Sequence, residues 1–267
     1  MKVFNSVIGI CCLVVILFSF GANVTSCKKE TVTVHDTIYD LKDGLVAYYT
    51  FNNGSLNDSS GRNNNIIFNN ASKTADRFGR ANNAYLFNGT NNYMRVTNSA
   101  SLNQLGGITL MAIVKLNDFY KGDCHGNSIL MKGFQDQRPG VYTLRVTDNA
   151  SSCAIAADTT KERTVGFFGD YGSTSGATDT TSYVHTGAWM TIVYTFDGLQ
   201  SKLYINGKLK VTYSQPAIFN GNSSDLFIGR AETDQYPFWF NGVIDEIRVY
   251  NRSLGEPAVK QLSASTN

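Results

Sequence analysis

The sequence predicts an all-β fold in which two antiparallel sheets pack face to face. Short apolar and aromatic runs recur along the chain and are separated by turn-forming residues. The 24 glycines and only 4 prolines suit strands that are joined by tight turns. Residues 256–262 are the one segment with a helical pattern, and many strands with one short C-terminal helix are typical of a β-sandwich.

Two long apolar runs predict central strands, over residues 108–116 and 189–196. Residues 142–146 alternate in polarity, which predicts a strand with one inward-facing and one outward-facing side. Asn206 and Gly207 supply the two positive-φ residues of a type I′ turn, so a hairpin is predicted around them. The other predicted strands are residues 45–51, 84–87, 93–96, 226–229 and 242–250.

The charge balance excludes several classes of protein. The chain has 23 Lys and Arg against 21 Asp and Glu, and its formal net charge is +2. With 42% hydrophobic residues this is not a disordered charged tail, and a nucleic-acid partner is not expected without a basic excess. No glycine-rich phosphate loop follows a predicted strand, which excludes a nucleotide-binding fold.

The N-terminal residues predict a secretory signal. No charged residue occurs between Lys2 and Lys28, and residues 7–20 are mainly apolar. Polar residues then interrupt the run before it reaches the roughly 20 residues of a membrane-spanning helix. Residues 24–27, VTSC, resemble the lipobox of bacterial lipoproteins, which implies cleavage before Cys27 and a lipid on that residue. An uncleaved anchor and an ordinary signal that ends in cysteine are the alternatives.

Three segments are therefore predicted. Residues 1–26 are the signal peptide, residues 27–43 are a polar tether, and residues 44–267 are the folded domain. The KKE sequence after Cys27 partly resembles the export signal of Bacteroidetes surface lipoproteins. This resemblance implies an outer-membrane protein that touches the membrane through its lipid anchor alone and holds its domain outside.

Two of the five cysteines predict a disulfide. Cys11 and Cys12 leave with the signal, and Cys27 carries the lipid. Cys124 and Cys153 remain as a pair, and an oxidising compartment favours a bond between them.

A metal site built from Cys124, His125 and Cys153 is the alternative to this disulfide. Adjacent residues of a strand point to opposite faces, so Cys124 and His125 converge poorly and the disulfide is favoured. The histidines His35, His125 and His185 are dispersed along the chain. Each of them is therefore interpreted as a surface residue rather than as a zinc ligand.

Several stretches together resemble a known family. Residues 44–51, GLVAYYTF, followed by residues 57–63, NDSSGRN, resemble the opening of laminin-G-like domains of the concanavalin A-like lectin/glucanase superfamily. Residues 240–254, FNGVIDEIRVYNRSL, are the most specific match. The resemblance implies a jelly-roll sandwich of two curved antiparallel sheets. Residues 154–185 are a long Gly/Ser/Thr-rich insertion that the family does not explain, and such long connections are typical of functional or floppy segments.

The same resemblance implies a calcium ion that joins the first and last strands through Asp58 and Asp245. Calcium takes roughly six to eight oxygen ligands, and Asp58 lies in an oxygen-rich turn. Alternatively, Asp58 caps its own turn and Asp245 pairs with Arg248 or with backbone amides. A structural calcium ion is the predicted cofactor.

Catalysis is tested on the carboxylates, because the superfamily includes glucanases. The resemblance implies a Glu-x-Asp-x-x-Glu strand, but Glu232 and Asp234 are followed by Pro237 where the closing Glu would stand. Asp245 and Glu246 are adjacent, and strand alternation places them on opposite faces. Retaining glycosidases need two carboxyl groups about 5–5.5 Å apart, so no catalytic residue is predicted.

Exposed aromatic rings are the candidates for ligand binding. Tyr236, Phe238 and Trp239 lie in one loop before the final strand, and Tyr171 lies in the insertion. The sequence predicts a non-catalytic, lectin-like domain that binds a glycan or a glycosylated partner. Phe238 and Trp239 as core residues are the alternative for those two rings. A glycoside hydrolase and an adhesion module that binds protein are the alternative functions.

Overall fold

Two antiparallel sheets make up most of the computed structural model, which describes residues 38–103, 106–122, 125–133, 140–148, 155–170 and 173–264. Of residues 167, 170 and 173–175 it describes the backbone alone. The chain divides into the units Met1–Ile38 and Tyr39–Asn267, and both sheets lie in the second. The predicted sandwich of two antiparallel sheets is confirmed.

Sheet A contains both predicted central strands at their predicted bounds. These are β6 (Ile108–Leu116) and β11 (Trp189–Phe196), numbered along the chain, and they pair over the whole of β11. Strand β1 (Leu45–Tyr49) pairs with β15 (Asn241–Tyr250), which also pairs with β6. Among the described residues the sheet is completed by β3 (Ser72–Thr74), β4 (Ala84–Asn88), β12 (Gln200–Ile205) and β13 (Lys208–Ser214), in the order β13-β12-β11-β6-β15-β4-β3.

Sheet B faces sheet A across the core. Its described strands are β2 (Ile66–Asn69), β5 (Met94–Val96), β7 (Asn127–Lys132), β8 (Val141–Thr147), β9 (Arg163–Asp170), β10 (Ser173–Thr178) and β14 (Leu226–Ile228), in the order β10-β9-β8-β7-β14-β5-β2.

The core lies between the two sheets. In β8, Tyr142, Leu144 and Val146 are all buried in it, as the alternating pattern predicts. Burial of one large apolar side chain contributes roughly 1.5–3 kcal/mol. The largest fully buried rings of this core are Tyr49, Phe51, Tyr85, Phe87, Tyr142, Phe168, Tyr194, Phe196 and Phe240.

The insertion at residues 154–185 contains regular strands, whereas the sequence suggested a long irregular connection. Strands β9 and β10 occupy much of it and form a hairpin at the edge of sheet B. Gly166 shows why small residues occur there, because a Cβ at this position would lie 2.4 Å from the ring of Tyr194 in the core. Gly166, one of the small residues that suggested a loop, is thus used for close packing.

Helix α1 (Glu256–Ala264) covers the outer face of sheet A. Val259 and Leu262 are fully buried in one apolar cluster with Met111 and Val193 of the sheet. The helix therefore closes a second, smaller core on this side of the sandwich.

The last residues of the predicted tether also contact the domain. The Tyr250 hydroxyl donates to the carbonyl oxygen of Leu41 at 3.0 Å, and the backbone N–H of Tyr39 donates to Gln261 Oε1 at 2.7 Å. The predicted signal peptide, Cys27 and the tether up to residue 37 lie outside the described residues. Within the described ranges, no helix is long and apolar enough to span a membrane.

Candidate functional site

The outer face of sheet B carries aromatic rings and arginines. Phe227 of β14 pairs with Arg95 of β5 and with Met131 of β7, so these side chains lie side by side across the sheet. The neighbours of Phe227, Leu226 and Ile228, are buried in the core because successive strand residues alternate. We call this outer surface the sheet B patch; its members are Phe68, Tyr93, Arg95, Phe227, Arg230 and Trp239.

Arg230 lies at the centre of the sheet B patch. Its Cζ atom is 4.8 Å from the ring centroid of Trp239 and 5.1 Å from that of Tyr93. A third ring, that of Phe227, is 5.8 Å away, and Phe68 stacks on Tyr93 at 4.6 Å. Each such cation–π contact contributes about 0.5–2 kcal/mol, depending on desolvation. The guanidinium therefore holds rings from three separate chain segments together.

Hydrogen bonds fix the position of Arg230. Its Nε donates to the carbonyl oxygen of Ala231 at 2.6 Å, and its Nη2 donates to that of Thr233 at 3.0 Å. Nη2 also lies 2.7 Å from Oδ1 of Asp234. The Arg230 side chain is only 8% exposed, whereas that of Asp234 is 97% exposed. The patch thus has a rigid, buried cation at its base.

The loop before β15 forms one border of the patch. Phe238 adopts a left-handed φ of 47° and is buried against Met131 and Ala231. Its carbonyl oxygen accepts the backbone N–H of Ser128 at 2.8 Å, and a Cβ on Gly126 would come within 2.8 Å of its ring. Phe238 therefore anchors the loop to sheet B.

The predicted binding rings take different positions in the structure. Phe238 is 4% exposed, which is the burial that its core alternative predicts. Trp239 and Tyr236 are both half-buried, and Trp239 contacts Arg230 on the outside of sheet B. Tyr171 lies outside the described residues.

Sequence reasoning missed five members of the patch: Phe68, Tyr93, Arg95, Phe227 and Arg230. Tyr93 and Phe227 lie in or beside predicted strands whose alternating pattern contains the signal. Their strand neighbours Met94 and Ile228 are buried, so the rings themselves had to face outward. Arg230 carries no comparable signal, because its role depends on rings from distant segments.

A cleft of about 180 Å³ opens beside the start of β11. We call it the second cleft, because it is the second candidate site after the sheet B patch. Tyr183, His185, Trp189 and Asn206 are among its lining residues, and His185 is exposed, as predicted. The Cζ atom of Arg163 lies 4.9 Å from the Tyr183 ring centroid. This cleft offers a second place where rings and polar groups meet.

Asp58 organises its own turn. Its Oδ1 accepts the backbone N–H groups of Tyr48 at 2.9 Å and Ser60 at 2.8 Å. Its Oδ2 accepts the Ser60 hydroxyl at 2.7 Å and the backbone N–H of Asn64 at 3.0 Å. Four donors fill the acceptor sites of one carboxylate, so a calcium ion would have to displace some of them.

Asp245 has a cationic partner instead of an oxygen shell. Its Oδ2 lies 2.6 Å from Nη1 of Arg77 and accepts the Arg77 backbone N–H at 3.1 Å. The described residues contain no group of three or more His, Cys, Asp or Glu side chains placed to hold a metal ion. The partners of Asp58 and Asp245 do not fit a shared calcium shell as they stand, and the calcium ion stays an untested prediction.

A β-bulge contradicts the expectation that Asp245 and Glu246 face opposite sides. The register between β15 and β6 shifts between Ile244 and Glu246, so Asp245 is the extra residue. Glu246 Oε2 consequently lies 4.0 Å from Nη2 of Arg77, the same side chain that binds Asp245. Burial raises the pKa of both carboxyl groups, while the neighbouring arginines, Arg77 and Arg248, act in the opposite direction.

His125 is buried, which corrects its interpretation as a surface residue. It is 3% exposed, and its Nδ1 lies 3.1 Å from Oδ2 of Asp148. The β8–β9 pairing ends with Thr147 opposite Arg163. The next residues of the two segments, Asp148 and Glu162, therefore lie close to each other. Burial, followed by the charge of Asp148, raises the pKa of Glu162 to about 8. Cys124 and Cys153 lie outside the described residues, so their predicted disulfide stays a prediction.

Two antiparallel sheets that pack face to face, with the first described strand paired to the last, define a β-sandwich that bears rings on an outer face. The chain belongs to the concanavalin A-like lectin/glucanases superfamily, because a laminin-G family model with that description matches residues 87–260. The resemblance to laminin-G-like domains is thereby confirmed. No curated protein sequence matches the chain.

Solved structures share this fold at low identity. The binding domain of Paraclostridial Mosquitocidal Protein 1 is 18% identical, with a TM-score of 0.65 over 85% of this chain and 53% of that one. Domain 4 of AbnA, a GH43 extracellular arabinanase from Geobacillus stearothermophilus in complex with arabinotriose, is 21% identical, with a TM-score of 0.58 over 82% of this chain and 98% of that one. The receptor binding domain of botulinum neurotoxin mosaic serotype C/D is 13% identical, with a TM-score of 0.61 over 85% and 52%. This chain spans about half the length of the two toxin domains.

Proposed function

We propose that the chain is a non-catalytic, lectin-like domain that binds a glycan on the sheet B patch. The observation that carries this proposal is the arrangement of Tyr93, Phe227 and Trp239 around Arg230 on an outer sheet face. The face of an aromatic ring is electronegative and attracts the C–H groups of a sugar ring. Because Arg230 fixes the rings before a ligand arrives, little conformational entropy is lost on binding. The complex of AbnA domain 4 with arabinotriose adds support from the same fold.

A glycan-array screen of the full chain, followed by calorimetry on the best ligand, tests the proposal. Trp239→Ala is expected to weaken binding by about 2 kcal/mol, or roughly thirtyfold, because a stacked ring is lost. Trp189→Ala is the matched control, since Trp189 lies at the second cleft. Equal affinity of the Trp239 variant and the parent would exclude the sheet B patch. A loss that is confined to the Trp189 variant would move the site to the second cleft.

A glycoside hydrolase is the second candidate, and the β-bulge at Asp245 favours it. The bulge brings the carboxylates of Asp245 and Glu246 to one arginine. Their ion pairs with Arg77 and Arg248 resemble a structural network more than an acid and a nucleophile. Sugar release from a polysaccharide that disappears in Glu246→Gln, a variant checked to be folded, would favour the hydrolase over the lectin.

We also propose that Cys27 carries a lipid that holds the domain at the outer surface of an outer membrane. The VTSC sequence after an apolar run supports this placement. Cys27→Ala is expected to release the protein from membranes or to leave its precursor uncleaved. Intact-mass spectrometry that finds an unmodified mature Cys27 would contradict the anchor and leave the glycan proposal intact.

A further inference from the structure

We propose that the glycan bound on the sheet B patch is an acidic one, whose carboxylate or sulfate is recognised by Arg230 and Arg95. This inference rests on the proposed glycan-binding function and narrows its ligand. The two arginines lie among the rings on which a sugar would stack, so one saccharide unit can contact a ring and a guanidinium together.

Arg230 keeps unused donors in the described structure. A guanidinium has five N–H donors, and the acceptors of Arg230 lie at its Nε and Nη2. Among the described residues, Nη1 has no acceptor. A neutral sugar stacked on Trp239 would give this charged nitrogen only weak partners, whereas an anion would form a charge-assisted hydrogen bond with it.

Arg95 lies in strand β5, next to β14, and its guanidinium also lacks strong hydrogen-bond acceptors. Its Nε is buried and has no hydrogen-bond partner within the described residues. Its Nη1 lies 3.4 Å from Oδ2 of Asp225, which is longer than the roughly 2.7–2.9 Å of a strong charge-assisted bond. The other oxygen of Asp225 accepts the backbone N–H of Asn98 at 2.8 Å, so this carboxylate is held by its own loop.

The register places Arg95 beside the rings. Arg95 pairs with Phe227 on one side and with Phe68 on the other, and Phe227 also contacts Arg230. Both guanidinium groups therefore border the same aromatic surface. The chemistry of this surface fits a ligand that combines an apolar ring face with an anionic substituent.

The acids nearest to Arg230 oppose this charge only in part. Asp234 binds Arg230, but its side chain is 97% exposed. Water competes for this exposed carboxylate, so the ion pair contributes less net stability than a fully buried pair would. A ligand anion can therefore replace the Asp234 carboxylate without a large penalty. Glu232 precedes Asp234 in the same loop and is half-buried.

The test compares pairs of polysaccharides that share a backbone and differ in their acidic groups. Polygalacturonate with its methyl ester isolates the carboxylate, and dextran sulfate with dextran isolates the sulfate. For the full chain we expect at least about tenfold tighter binding to one acidic member than to its neutral counterpart. This preference should shrink as the salt concentration rises, since salt screens exposed charges.

Variants separate recognition from folding. Arg230→Gln is expected to lose about tenfold in affinity for the acidic ligand, and Arg95→Gln is an independent variant if the first fails to fold. Arg163→Gln is the matched control, because Arg163 stacks on Tyr183 away from the patch. Asp234→Asn removes the competing carboxylate and is expected to retain or increase the affinity.

The outcomes distinguish this inference from the proposed function. Equal binding of neutral and acidic members, or equal losses in the Arg163 and Arg95 variants, would overturn the acidic ligand while glycan binding stands. Loss of affinity in Asp234→Asn would also overturn it, because the carboxylate would then be a ligand contact. Failure to bind any glycan would overturn both proposals.

Discussion

The two outer faces of the sandwich carry similar apolar side chains and treat them differently. On sheet A, Met111 and Val193 are buried in one cluster with Val259 and Leu262 of helix α1. On sheet B, the rings of the patch stay half-buried, although the loop before β15 borders them. An outward-facing apolar residue of this fold thus serves stability where the chain covers it and is available for binding where the chain does not.

The largest expected difference between the faces lies in their Arg–Asp pairs. Asp245→Asn removes one partner of an ion pair whose Asp side chain is 4% exposed and leaves Arg77 with only its 4.0 Å contact to Glu246. This change is expected to lower the free energy of unfolding by about 3–5 kcal/mol. Asp234→Asn removes the partner of Arg230 at a 97% exposed position and is expected to change stability by about 0–1 kcal/mol. Denaturant unfolding of both variants checks this, and equal losses would break the comparison.

Truncation of an apolar side chain should also cost more stability on the covered face of sheet A than on the outer face of sheet B. Leu262→Ala empties a fully buried position under helix α1 and is expected to lower stability by about 2–5 kcal/mol. Phe227→Ala on sheet B should lower stability less for its size, because the ring is only half-buried, and should weaken glycan binding. Thermal melting and calorimetry measure the two effects. Intact binding in the Phe227 variant would show that sheet B is simply another structural face.

Asp58 contacts strand β1 of sheet A, so its substitution tests whether this sheet also needs a metal ion. Asp58→Asn is expected to lower stability by about 1–3 kcal/mol, because a charged acceptor of four hydrogen bonds is weakened. If the predicted calcium ion binds, wild-type protein should gain about 2.7 kcal/mol at a hundredfold excess over Kd and lose it on chelation. A melting temperature that is unchanged by chelator would contradict calcium and leave the turn as the whole role of Asp58.

The last expected effect concerns Glu162, a fully buried acid that directly precedes β9. The pKa of Glu162 is raised from 4.5 to about 8, so the folded state binds its proton more tightly than the unfolded state. This contribution to stability is complete below about pH 4.5 and is lost as pH rises through about 8. Between these pH values, the melting temperature should fall more steeply with rising pH for wild-type protein than for Glu162→Gln. Parallel curves would show that Glu162 titrates normally.

Long strands were predictable, whereas locally irregular features were not. Strands β6 and β11 match their predicted bounds because long apolar runs define them, and Asn206 and Gly207 adopt the predicted positive φ values of 50° and 73°. Strands β9 and β10 were missed because their small residues resemble a loop, although Gly166 is required by the Tyr194 ring of the other sheet. The bulge at Asp245 inserts one residue into a strand, and no residue pattern announces it.

The candidate site was predictable in part for a related reason. The loop with Tyr236 and Trp239 stood out because its aromatic residues are consecutive or nearly so. Tyr93 and Arg230 did not, since their contact joins residues that are far apart in the chain. His125 was likewise misjudged, because its partner Asp148 comes from another strand end. Sequence patterns identify what one segment contributes, and the assembled fold decides what the segments form together.

The pairing of β1 with β15 has a consequence for biosynthesis. Translation proceeds at about 5–20 residues per second, so Leu45–Tyr49 would wait on the order of 10–40 s for Asn241–Tyr250 to be made. Even after β11 has been made, β6 still lacks β15, the other of its two neighbours in sheet A. Until β15 emerges, the nascent chain therefore exposes the unpaired edges of two apolar strands, β1 and β6.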